Sequence, residues 1–231
     1  MTRRGDTLLF DAPPTVAAWA AAGGKKESEG PLASAFDFVT QDAAFGEQGC
    51  ENWEQAESLL QRKAVELCLR KADIPRSKVD IAFAGDLQAQ CTASNYTMRE
   101  LGIPFAGVYG ACSTMAQGLA LGGVLVESGA AARLAVSASS HFCSAERQYR
   151  FPLAYGGQRT PTAQWTATAA GAAVLGAEGG SSVRMTHVLF GKMIELGVKD
   201  ANNMGAAMAP EDVNLDPYIF RRAERCVLHE I

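Results

Sequence analysis

The chain has 231 residues, 48% of them hydrophobic, and 21 Lys and Arg against 25 Asp and Glu give a formal net charge of −4. That is enough apolar mass to fill the core of one large domain or two small ones, and the lack of any Lys/Arg-rich tract argues against a nucleic-acid partner. The six cysteines (Cys50, Cys68, Cys91, Cys112, Cys143 and Cys226) stand singly, with no CxxC pair and no histidine at ligand spacing, so reduced thiols and no metal site are expected.

At the start of the chain, Asp6, Asp11 and Pro13-Pro14 interrupt the apolar stretch before it resembles a secretory signal. No window reaches the ~18 apolar residues of a spanning helix, so any membrane association is expected to be peripheral. TLLF (7–10) predicts a short first strand, and residues 12–50 read as irregular, punctuated by Gly23-Gly24, Gly30-Pro31, Gly46 and Gly49. At 52–72, Asn52 is placed to cap a helix, and Trp53, Ala56, Leu60, Ala64, Leu67 and Cys68 recur at helical spacing. Pro75 prevents continuation, and VDIAFA (79–84) reads as a buried strand delivering Gly85-Asp86 at its carboxyl end. A short helix at 93–101 leads through GIPFAGVYG to a second long helix at 113–128. Further strands are predicted at 132–139, 169–176 and 182–191, and a last helix at 217–229. Strands alternating with helices predict an α/β sheet with helices on its faces.

The helix at 113–128 is apolar all round. Met115, Ala116, Leu119, Ala120, Leu121, Val124, Leu125 and Val126 leave little beyond Gln117 for solvent, so it is expected to be covered on every side. Gly118, Gly122 and Gly123 each cost about 1 kcal/mol in a helix interior, which close backbone approach would offset. Cys112 stands at its amino end. One reading makes it a small buried hydrophobe; the other makes it a thiolate, or a neighbour of a bound anion, favoured by the helix amino terminus.

Residues 139–166 gather His141, Glu146, Arg147, Tyr149, Arg150 and Arg159. Arginine forks match carboxylates, although a solvated loop whose arginines pair with Glu146 and water is the plainer reading. Position supports the ligand reading, because in open α/β sheets ligands bind beyond the carboxyl ends of strands. His141 follows one such end and Asp86 another, where Asp86 can instead cap the following turn.

AGDL (84–87), IPF (103–105), YGACSTM (109–115), SSH (139–141), AERQYRFP (145–152), YGGQ (155–158) and DANNMGAAMAP (200–210) resemble the stage V sporulation protein AD (SpoVAD) family, thiolase-like proteins of endospore-forming bacteria. The resemblance implies an α/β thiolase-like layered fold of two similar halves, each a mixed five-stranded sheet with helices, around buried central helices. Residues 1–210 correspond to the first half and 211–231 to an unplaced tail, so a truncated or frameshifted chain with its central helix uncovered, prone to self-association as a homodimer, is expected. Cys112 falls at the family's nucleophile position. The function implied is binding of dipicolinic acid (pyridine-2,6-dicarboxylate) during spore formation, without catalysis and with no cofactor. Cys112, His141, Arg147, Arg150 and Asp86 would lie near the ligand. Partners would be the other SpoVA proteins at the forespore inner membrane. The alternative is a thiolase-type acyltransferase or condensing enzyme using Cys112, for which His141 and His187 are the internal candidates as base.

Overall fold

The computed structural model describes residues 1–42, 44–149, 166–177, 183–191, 197 and 199, with residues 147–149 as backbone. The Arg147 side chain, Arg150, the YGGQ and 200–210 blocks and the helix expected at 217–229 lie outside the described residues. The chain forms two compact units. One comprises Met1–Leu9 and His187–Ile231, where β1 (Thr2–Arg4) and β2 (Thr7–Leu9) make a hairpin and β9 (His187–Leu189) pairs antiparallel with β2, Leu8 opposite Val188. Gly5, with φ +60°, supplies the left-handed backbone of the two-residue hairpin turn.

The other unit, Phe10–Thr186, is a six-stranded mixed sheet with helices on both faces. In chain order it contains β3 (Thr15–Gly23), α1 (Lys25–Ser28), β4 (Phe38–Val39), α2 (Trp53–Lys71), β5 (Ile81–Gly85), α3 (Thr92–Leu101), β6 (Phe105–Gly107), α4 (Thr114–Glu127), β7 (Arg133–Ser140), α5 (Phe142–Tyr149) and β8 (Ala169–Gly176). The strand order is β4-β3-β8-β7-β5-β6, with β8 antiparallel to both neighbours and the β7-β5-β6 set parallel.

Two expectations need correction. The sheet has six strands, because residues 12–50 are not irregular: they carry β3, nine residues long and paired along its length with β8. TVAAWAAAG hides this strand because alanine favours helices and lacks the branched or aromatic bulk that marks strands. Buried Ala18, Ala20 and Ala22 let α2 lie close over it. Nor is 182–191 one strand. Its described start runs beside the first residues of β3, with Val16 N donating to Val183 O (2.9 Å) and Met185 N to Pro14 O (2.9 Å), while 187–189 belongs to the small sheet.

The helix expected at 52–72 is α2. Asn52 Oδ1 accepts from Gln55 N (2.9 Å), and Gln55 Oε1 accepts from Glu51 N (2.7 Å), a reciprocal lock on the amino end. Arg70 and Lys71 complement the dipole at its other end. Its buried residues Ala56, Leu60, Ala64, Val65, Cys68 and Leu69 cover one face of the sheet together with Met98 and Leu101 of α3. The outward edge of β3 is blocked by side chains. Lys71 Nζ donates to Trp19 O (2.9 Å) and bridges to Asp37 (2.7 Å), whose other oxygen accepts from Ala21 N (2.9 Å).

The opposite face is covered by α4 over Leu134, Val136 and Leu175. The glycines act as inferred from sequence. A Cβ at Gly118 would stand 2.6 Å from Val136 Cγ1, and one at Gly122 would stand 2.7 Å from Leu134 Cδ2. The expectation that α4 is covered on every side holds on its sheet side only: Met115, Leu119, Leu121, Val124 and Leu125 are half-buried, and Ala116 and Gln117 are exposed. On that same face, past the amino end of α4, Ala138, Ser140, Ala169 and Gly171 are half-buried and Trp19 is 57% exposed.

Candidate functional site

Because β5 and β7 are parallel neighbours, both chains leave the sheet at the same edge, where Asp86 follows β5 and Ser140-His141 follows β7. The loop after β6 returns to that edge before α4. A Cβ at Gly85 would overlap the Val108 carbonyl oxygen, so the end of β5 and the loop approach as closely as backbones can. Ala111 has φ +48°, a left-handed conformation that costs a non-glycine residue about 1–3 kcal/mol and is found where surrounding structure enforces it. This sharp turn from strand to helix presents Cys112 on a one-turn 3-10 segment (Ala111–Ser113) with its side chain exposed.

Beside the thiol lies a cleft of about 370 Å³. Its floor is the uncovered part of the sheet, Ala138 and Ser140 of β7 with Ala169 and Gly171 of β8; Asp86 and Leu87 form one wall, and Ala111, Cys112 and Thr114 the other. Above Gly171 there is open space, since a Cβ there would meet nothing within 4 Å. The amino end of α4 opens on this cleft. Ser113, at the cap position, makes no capping bond and turns its hydroxyl back to Gly110 O (2.8 Å). The amino end of α4 therefore lacks the side-chain acceptor that Asn52 gives α2; the Ser113 and Thr114 N–H groups donate to Gly110 O and Ala111 O in the preceding turn, and the positive end of the helix dipole is what this end offers an anion.

The site residues read from sequence separate in the structure. Cys112 and Asp86 come together as cleft walls. Asp86 is 2% exposed and behaves as the cap reading expected. Its Oδ1 accepts from Gln88 N (2.9 Å), and its Oδ2 accepts from Ser94 N (2.8 Å) and Ser94 Oγ (2.7 Å), tying the loop to the start of α3. Burial raises its carboxyl above the usual range against the pull of those donors. His141, 1% exposed, is not on the cleft wall. It stacks on Trp53 (centroids 5.4 Å apart, planes at 28°), and its Nδ1 accepts from Cys143 N (3.2 Å).

Behind the cleft lies a polar cluster that the sequence reading missed. Glu57 of α2 is fully buried. Its Oε2 accepts from Gln88 Nε2 (2.6 Å) and Ser144 Oγ (2.6 Å), and its Oε1 from Ser139 Oγ (3.1 Å). Burial pushes its carboxyl up to about 7, opposed by the Ser144, Gln88 and Ser139 donors and reinforced by the Asp86 charge. Gln61, one turn on and also fully buried, donates to Gly85 O (3.3 Å) and Ser94 Oγ (3.1 Å). The signal was present in the spacing. Glu57 and Gln61 share the i, i+4 row of Val65 and Leu69, beside the apolar row of Ala56, Leu60, Ala64 and Cys68, so two polar side chains face the core.

This mixed α/β unit with a cysteine elbow over the sheet edge can now be set beside known proteins. The chain belongs to the stage V sporulation protein AD (SpoVAD) family, whose model matches residues 4–225. It is 40% identical over 206 residues to stage V sporulation protein AD of Bacillus subtilis (strain 168), a match covering 88% of this chain and 59% of that one. The match thus spans about three-fifths of that relative's length. Among solved structures, the chain is similar to 3-oxoacyl-[acyl-carrier-protein] synthase III of Aquifex aeolicus (12% identity, TM-score 0.46, 71% of this chain and 53% of that one). It is also similar to Xanthomonas campestris OleA (17% identity, TM-score 0.48, 73% and 59%). These likenesses are partial, and neither protein's activity carries over to this chain.

Proposed function

We propose that this chain binds dipicolinic acid in the cleft beside Cys112, as a non-catalytic component of the SpoVA machinery that moves dipicolinate during sporulation. The observation that carries the reading is the uncapped amino end of α4 opening on a cleft of about 370 Å³, within the usual range for small-molecule sites. A flat dianion gains there from the positive end of the helix dipole. Arg147 and Arg150, from the segment that follows β7, are proposed to supply the fork-shaped cations that pair with its carboxylates. Cys112 and Asp86 shape the walls, and His141 acts from behind by fixing the end of β7 against Trp53. The partners proposed are the other SpoVA proteins at the forespore inner membrane. No helix among the described residues is long and apolar enough to cross a membrane.

Calorimetric titration with dipicolinate tests the site. Arg147→Ala and Arg150→Ala are each expected to weaken binding roughly tenfold to a hundredfold, the worth of a charge-assisted hydrogen bond. Saturable binding that neither change touches would remove the assignment.

The strained elbow that exposes Cys112 favours a second reading, acyl transfer through its thiol. Such chemistry needs a base in reach of the sulfur, and no described residue lining the cleft is a histidine. A stable acyl adduct on Cys112 after incubation with acyl-CoA, found by intact mass and peptide mapping, would favour this reading over pure binding.

A further inference from the structure

Glu57 is a carboxyl group with no access to water and no described cation bonded to it. Its three hydrogen-bond donors, Gln88 Nε2, Ser139 Oγ and Ser144 Oγ, are all neutral. Two of the connections lead straight to the cleft. Ser139 is a lining residue as well as a donor to Glu57, and Gln88 stands two residues beyond the lining residue Asp86, whose Oδ1 holds the Gln88 backbone.

The ionisable groups on the elements packed around α2 are few. β3 and β8 carry none. β7 carries Arg133 at the end of the strand remote from Ser139, and α3 carries the half-exposed Tyr96 and, in its last turn, Arg99 and Glu100, where Glu100 pairs with Arg62. The loop after β5 brings Asp86. The junction of β7 and α5 brings His141, stacked on Trp53, and α5 brings Cys143, Glu146 and Arg147, with Glu146 bonded to Thr166 Oγ1 (2.8 Å). On α2 itself the nearest is Glu54, at the helix mouth. The charge that changes most directly behind the cleft wall is therefore that of Glu57, with Asp86 beside it.

We infer that Glu57 is a positioning residue that sets when the cleft accepts an anion: protonated, it holds Ser139 and the Asp86 loop in place behind a wall without added negative charge, and when it loses its proton the cleft rejects anions. The inference rests on the reading that this cleft takes an anionic ligand, and it adds that a proton is taken up at a Glu57 carboxyl oxygen as the anion enters. Burial places this titration near neutral pH. Ordinary carboxylic ligands finish ionising below about pH 5, so the two titrations do not overlap.

The test uses the Cys112 thiol as a probe on the whole chain. Cys112 is alkylated with anionic iodoacetate and with neutral iodoacetamide from pH 5.5 to 8.5, each followed on the Cys112 peptide by mass spectrometry. The ratio of the two rates cancels the thiol's own ionisation and reports the field in the cleft. In the wild-type chain the iodoacetate/iodoacetamide ratio is expected to fall severalfold as pH rises through about 7, and in Glu57→Gln it is expected to stay flat. Gln88→Met removes a donor to the ionised carboxylate and is expected to move the midpoint to higher pH, which keeps the test decisive if Glu57→Gln does not fold. A flat wild-type ratio, an unshifted midpoint in Gln88→Met, or an equal fall in Glu57→Gln would overturn the inference.

Dipicolinate calorimetry in parallel, in two buffers of different ionisation enthalpy, separates the two claims. If no dipicolinate binds at any pH while the alkylation ratio follows Glu57, dipicolinate is not the ligand and the Glu57 control of anion entry stands. Tight binding with a flat ratio and no proton uptake leaves the ligand reading in place and removes the inference.

Discussion

The two faces of the central sheet are held by opposite means. On one, α2 and α3 press large side chains and buried polar groups onto an alanine floor. Leu60, Val65 and Met98 fill space above Ala18, Ala20, Ala172 and Ala82, and Glu57 and Gln61 tie the helix to the strand ends by hydrogen bonds. On the other, the bulk belongs to the strands, as Leu134, Val136 and Leu175, and the helix contributes glycines. The first arrangement closes its face. The second covers only part of one, and the remainder of that face is the cleft. The candidate site thus lies where the second helix stops short, and that helix, unlike α2, has no side-chain cap at its amino end.

This contrast can be broken at several points, beginning with the largest expected effect. Leu60→Ala, at a position fully buried between α2 and the sheet, should cost about 2–5 kcal/mol. Leu119→Ala, on the half-buried outer side of α4, should cost well under half as much by urea midpoint. Equal losses would mean that the two faces are equally closed.

The buried carboxylate of α2 should give the chain a falling stability with pH. Its folded value lies above its unfolded one, so its contribution is complete below about pH 4.5 and is lost as pH rises through about 7, a loss on the order of 3 kcal/mol. Glu57→Gln should flatten that part of the profile in chemical denaturation between pH 5 and 8, leaving the smaller slope of Asp86, which has the same sign.

Gly118→Ala on α4 sets about 1 kcal/mol of improved helix propensity against about 1–3 kcal/mol of overpacking on Val136, for a net loss of up to about 2 kcal/mol in a thermal melt. A gain would show that the helix is not pinned by close approach. Smallest is the comparison of the amino ends. Asn52→Ala should cost about 1 kcal/mol, whereas Ser113→Ala, which removes no capping bond, should stay within about 0.5 kcal/mol.

Much of this arrangement was legible in the residues. Asn52 with the Trp53–Cys68 spacing defined α2, the uncharged run after Cys112 defined α4, and AAGAAVLG matched β8 end to end. The three glycines of α4 correctly announced close packing, because glycine in a helix interior is costly unless another backbone or side chain needs the space. β3 was not legible, since alanine carries no strand signal and its pairing with β8 spans some 150 residues of sequence. At the site, the meeting of Cys112 and Asp86 at one sheet edge was legible because strand ends and turns have local signatures. His141 was read as facing the ligand, although its place behind Trp53 depends on α2, far away in sequence. Glu57 was passed over because only the strand ends reveal what a buried acid is bonded to.

The edges of the large sheet carry a consequence for assembly. One side ends in the three-residue β6; the other ends in the two-residue β4, with the exposed flank of β3 stoppered by the Lys71–Asp37 pair. Neither border offers a long bare ladder onto which a foreign strand could zip, which is how sheet proteins commonly guard against fibril-like stacking. Association through the described residues of this sheet is therefore expected flat side to flat side rather than lengthwise, and light scattering of the concentrated protein should reveal bounded particles rather than growing filaments.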